Sequence, residues 1–202
     1  MVHKMLQIQI NHEAWIEPQG DKLLVRWGHY PEVDGRIDPH VIREVMVIGD
    51  DVYNPIVFVH KKDALRLAWP GGEAKFAFLH YTRGPFTKTR NEWIYGDKCS
   101  TERVFGEANE SLIIEGFAVY SRSLESLIDE VLPKSLQPEL IVKGDSLLVK
   151  HENARVWCNG AESGSRACKE KPVYILIKLD KVASMPCVDK VRWIASIYLE
   201  SF

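Results

Sequence analysis

About a dozen short runs of β-branched and aromatic residues, set apart by turn signals, dominate this chain and leave little room for long helices. They include "HEAWIE", "KLLVRWGH", "VIREVMVIG", "NPIVFVH", "AKFAFLHYT", "SLIIEGFAVY", "PVYILIKLD" and "VRWIASIYLE". Strands at that spacing predict an all-β fold, an antiparallel, Ig-like β-sandwich, rather than a doubly wound sheet. One short helix is expected in "SRSLESLIDEVLPK", where Leu124, Leu127, Ile128 and Val131 share a face, Ser123 can cap and Pro133 stops the turn. The segment "PKSLQP" after it marks a boundary. Two β-domains are therefore expected, a larger one over 1–132 and a smaller one over 133–202.

Composition narrows the function classes. With 27% charged residues and a formal net charge of -2, the chain lacks the basic excess of a nucleic-acid binder. Arg83, Lys88 and Arg90 come close together around "TKTRNEW", but Glu92 and Asp97 are nearby and the stretch reads as a solvated loop. No run of about 18 apolar residues is present, so no membrane span is expected. The N-terminal "MVHKMLQIQI" has neither an apolar h-region nor a small-residue cleavage site, as in a cytoplasmic chain or a mature or trimmed one. The cysteines, Cys99, Cys158, Cys168 and Cys187, form no CxxC pair, which argues against a zinc knuckle. Cys158 and Cys168 flank the loop-like "NGAESGSRA" and are candidates for a bridge in an oxidising compartment.

The chemistry concentrates in "INHEAWIEPQGDKLLVRWGH", a hairpin with a histidine at each outer end. Strand residues alternate faces, so His12, Ala14 and Ile16 share one face and Val25, Trp27 and His29 another. Two registers match those faces. One pairs Ile16 with Val25, Ala14 with Trp27 and His12 with His29; the other slides by two and makes the histidines diagonal neighbours. Cβ separations of about 4.5–5.5 Å or about 7–8 Å result, and either lets two imidazoles share a metal. Further ligands would come from His80, which shares a face with Phe76 and Phe78, from His60 at a strand end, from His40 after Pro39, or from Glu13. His151 reads as solvated. The opening "MVH" also places a histidine third from Met1, the spacing that holds Cu²⁺ or Ni²⁺ in a square plane with a free amine.

In order along the chain, "HEAWIEP", "LLVRWGH", "DPHVIREV" and "YTRGPFTKTRNEWIYGDK" resemble the NikM-like family of extracytoplasmic β-sandwich proteins associated with nickel and cobalt uptake. The matching positions are His12, Trp15 and Pro18; Gly28 and His29; Asp38 and Pro39; then Gly84, Phe86, Thr87, Lys88, Thr89, Trp93 and Lys98. "PELIVKGDSLLVK" and "RWIASIYLE" are similar to the Ig-like C-terminal segment such proteins carry. The resemblance implies a periplasmic or cell-surface protein that binds a nickel or cobalt ion, with zinc or copper as substitutes, and that works with membrane transporter subunits. His12 and His29 carry over most directly; His80 and His60 are added from face geometry.

No GxSxG, phosphate loop, dinucleotide fingerprint or HExxH occurs, and a non-enzymatic role is expected. The alternative is a β-sandwich interaction or carbohydrate-binding module. Six tryptophans are many for this length, and Trp69 and Trp93 lie beside turns where a ring could stack on a sugar.

Overall fold

The computed structural model describes residues 8–202, and the period-two patterning of the sequence is met there by seventeen strands. The first nine are β1 (Glu13–Gln19), β2 (Lys22–His29), β3 (Glu32–Val33), β4 (Ile42–Ile48), β5 (Val52–Tyr53), β6 (Ile56–Val59), β7 (Leu65–Ala68), β8 (Phe76–Lys88) and β9 (Trp93–Tyr95). Helix α1 (Lys98–Phe105), β10 (Glu110–Ser121) and helix α2 (Leu127–Val131) come next. The chain continues through β11 (Glu139–Lys143), β12 (Ser146–Lys150), β13 (Ala154–Cys158), β14 (Ala161–Glu162), β15 (Ala167–Cys168), β16 (Val173–Val182) and β17 (Lys190–Leu199).

Three sheets stack as layers of an all-β, sandwich-like fold. The middle one has nine strands in the order β14-β13-β16-β17-β10-β8-β4-β5, with β9 paired to β8. A five-stranded sheet, β1-β2-β7-β6 with β3 on β2, covers one face, and a three-stranded sheet, β11-β12-β15, covers the other. Alternation along β16 explains why both faces are covered. Tyr174 and Leu176 join the core beneath the five-stranded sheet, while Val173, Ile175 and Ile177 join the core beneath the three-stranded one. β8 divides likewise: Ala77, Leu79 and Tyr81 go to the first core, Phe76 and Phe78 to the second.

The sheet crosses the boundary expected at 132/133. β17 lies between β16 and β10, so strands from both segments hydrogen-bond into one layer. Both cores also draw on residues from either side of it. The β10–β17 pairing is parallel, with Leu112 opposite Lys190 through Ser121 opposite Leu199, whereas the other strand pairs are antiparallel as expected. Hydrophobic runs show which residues are buried but not which distant strand they meet.

Among the described residues two α-helices form where one was expected. α2 is only five residues long, and Ser126 rather than Ser123 sits at its start. α1 was not anticipated, although its signals are local: Asp97 accepts a hydrogen bond from Ser100 N at 2.8 Å, and Gly106 closes the helix at φ 74°. Its first turn is tied by a Cys99–Cys187 disulfide to the loop before β17. The second disulfide, Cys158–Cys168, joins the two cysteines that were candidates for a bridge. All four cysteines are thereby paired, as in proteins of oxidising compartments. No helix among the described residues is long and apolar enough to cross a membrane.

Candidate metal centre

The β1–β2 hairpin takes the first of the two registers: Ala14 faces Trp27, Ile16 faces Val25, and Glu13 faces Gly28. Extending it by one residue brings His12 beside His29, with ring centroids 4.7 Å apart. Metal–imidazole bonds of about 2.0–2.1 Å would put the centres of two rings sharing one ion roughly 4.5–5 Å apart, so the spacing fits a common ion.

Several groups hold His12 there. The lead-in segment is pinned at Gln9, whose carbonyl accepts from Arg83 at 2.8 Å and whose side chain accepts from the Trp27 indole at 2.9 Å. The Arg83 guanidinium lies 4.7 Å from the Trp27 ring centre and 5.1 Å from that of Phe86. Burial lowers its proton affinity below that of an ordinary arginine. One residue on, β1 is an edge strand of its sheet, and its outward backbone groups are met by side chains of the central layer. Tyr81 Oη accepts from Ala14 N at 3.2 Å, and Ser196 Oγ donates to Ala14 O at 2.5 Å. The Tyr81 ring reaches this position by lying over Gly116, where a Cβ would meet the ring carbons.

The turn beyond β2 places His29. At Gly28 the chain turns back so tightly that a Cβ would sit 2.4 Å from Glu32 O and 2.8 Å from Asp34 N, and its φ of 149° is one that residues with a Cβ seldom adopt. The return carries Asp34 to His12, with Oδ2 2.8 Å from Nε2. Asp34 itself was not foreseen.

Behind the rings lies Glu13, only 1% exposed. Its Oε1 accepts from Tyr30 N at 3.2 Å. Its Oε2 makes no hydrogen bond but lies 3.5 Å from both His29 Nδ1 and Lys178 Nζ. The two imidazoles open onto a cleft of about 560 Å³ lined also by Asn11, Asp34 and Trp93.

The other candidate ligands go elsewhere. His80 shares the face of Phe76 and Phe78, and that face looks away from the hairpin toward the second core. There it stacks on Phe117 at 4.8 Å and puts Nε2 2.5 Å from Glu115 Oε2. His60 stands just after β6. Desolvation, together with Lys22, Lys61, Arg66 and Arg26, lowers its affinity for a proton, and the same cations would repel a metal ion. His40 is exposed beside Asp38, and His151 is held by Ser135 O at 2.8 Å and by Asn153 N. Neither His80 nor His60 joins the pair at the hairpin mouth, because each lies on a different face or edge of the layers. The "MVH" motif lies outside the described residues. Among those residues, the only tight trio of possible ligand atoms is Asp97 with Cys99 and Cys187, and both thiols there are spent in the disulfide.

The basic residues of "YTRGPFTKTRNEW" do not form a shared patch. Arg83 is buried as described, Lys88 lies over Trp93, and Arg90 meets Glu107. Trp15, Trp27 and Trp157 are buried in the first core, and the Trp69 indole donates to Gly72 O at 2.8 Å. Of the two tryptophans considered for sugar stacking, Trp93 lines the same cleft as the histidines. No family model, no curated protein and no solved structure matches the chain.

Proposed function

We propose that this protein binds a divalent transition-metal ion, nickel or cobalt, through His12 and His29 at the mouth of the β1–β2 hairpin. The reading rests on one observation: two imidazoles brought to 4.7 Å from the two arms of the hairpin at the edge of an open cleft. Imidazole is a preferred ligand for nickel, cobalt, copper and zinc, so the donor set suits the ion class. Two protein nitrogens leave coordination positions for water or an incoming ligand. That suits an ion that is carried and released better than one built into the fold, since structural sites are closed by four protein ligands. A role as an extracytoplasmic accessory of metal uptake accords with the two disulfides and with the NikM-like resemblance of the hairpin.

Calorimetric titration of the metal-free protein with Ni²⁺ and Co²⁺ tests this. Wild type is expected to bind at micromolar affinity or tighter, and a His12→Ala/His29→Ala variant to show no heat of binding. Undiminished binding in that variant would place the ion elsewhere.

A further inference from the structure

We propose that Glu13 is a positioning residue that holds His29 in the Nδ1–H tautomer, so that the hairpin mouth presents Nδ1 of His12 and Nε2 of His29 as its two lone-pair nitrogens. This role rests on the metal-binding reading for its purpose, while its geometry belongs to the protein alone.

A neutral imidazole has one N–H and one lone pair, and a carboxylate can only accept. His12 Nε2 faces Asp34 Oδ2 at 2.8 Å, so the proton of that ring is on Nε2. His29 is turned the other way round: its Nδ1 faces Glu13 Oε2 at 3.5 Å. A lone pair there would oppose a buried carboxylate oxygen that has no hydrogen-bond partner. A proton on Nδ1 removes that repulsion and leaves Nε2 free. Lys178 Nζ, also 3.5 Å from Oε2, provides the countercharge that lets a carboxylate sit there. The other oxygen, Oε1, is fixed by Tyr30 N, so Glu13 cannot swing away. Carboxylates that orient ligating histidines in this manner set both the tautomer and the ring direction.

The isosteric variant Glu13→Gln makes the idea sharp. Tyr30 N requires an acceptor, so the amide oxygen stays with Tyr30 and the amide NH₂ turns toward His29 Nδ1. The ring must then accept at Nδ1 and carry its proton on Nε2, the nitrogen offered to the metal.

Nitrogen-15 NMR of the imidazoles in the metal-free protein, at about pH 8 and thus above the ordinary imidazole range, reads the tautomers directly. Wild type is expected to show Nδ1–H at His29 and Nε2–H at His12. Glu13→Gln is expected to move the His29 proton to Nε2 and to weaken Ni²⁺ binding by about 10–100-fold. Nε2–H at His29 in wild type, or a His29 tautomer unchanged in Glu13→Gln, would overturn the proposal; if that variant does not fold, the wild-type spectrum alone decides. The expected tautomers with no response of either ring to Ni²⁺ would support the role of Glu13 while refuting the metal-binding reading.

Discussion

The two faces of the central sheet each hold a histidine beside a carboxylate, and they put it to opposite uses. On the face toward the three-stranded sheet, His80 is engaged by its neighbours: Glu115 takes its Nε2, and the ring lies flat on Phe117 with an interplanar angle of 5°. Thr82 donates to the same carboxylate oxygen, which completes a self-contained cluster. On the face toward the hairpin, His12 also has its carboxylate, Asp34, but the next aromatic ring is a second imidazole and a cleft lies beside them. A histidine–carboxylate contact alone therefore says little about ligand binding. A second nitrogen donor and open space are what separate the two places.

That contrast can be broken most severely at Gly28. In Gly28→Ala the new Cβ collides with the backbone of Glu32 and Asp34, so β3 must move and take Asp34 from His12. Overpacking of this kind typically costs about 1–3 kcal/mol, which urea denaturation would register. Ni²⁺ affinity should fall together with stability, whereas the His80–Glu115 contact, on the far face, should survive. Next comes Tyr81→Phe, which deprives the buried Ala14 N–H of its acceptor. A loss of about 1–3 kcal/mol is expected from the unsatisfied donor, with a smaller weakening of metal binding as the start of β1 loosens. The mildest change is His80→Ala. It removes a part-exposed hydrogen bond and a ring stack, for about 0.5–1.5 kcal/mol, and should leave Ni²⁺ affinity within about twofold of wild type. A large drop in metal affinity in His80→Ala would erase the distinction between the two faces.

How far the hairpin could be read in advance depends on the forces that set its geometry. Alternation and the turn signal within "PQGD" left two registers, and both brought His12 near His29, so the pair was legible from local pattern alone. The same alternation placed His80 with Phe76 and Phe78, correctly, but the sheet is buried on both faces, and pattern cannot say which face meets the hairpin. Asp34 and Lys178 were invisible for another reason: one arrives through a backbone turn and the other from β16, far along the chain. Cys158 and Cys168, ten residues apart around a turn-rich loop, were readable as a pair, whereas Cys99 and Cys187, 88 apart, meet only because the layers bring α1 beside the loop before β17. Helix α1 had readable caps but a weak apolar pattern, with Thr101 its only buried residue.

The placement of β17 has a consequence for how the molecule comes into being. Synthesis runs from one end, and when residue 182 has been made β10 and β16 both exist, yet the strand that must lie between them does not. Until residues 190–199 arrive, each presents an open edge rich in apolar residues, the arrangement most prone to pairing with a stranger. Closure of the middle layer is thus a late, long-range event joining segments some 78 positions apart in register, of the type that makes β-rich chains slow to fold and dependent on protection while they wait.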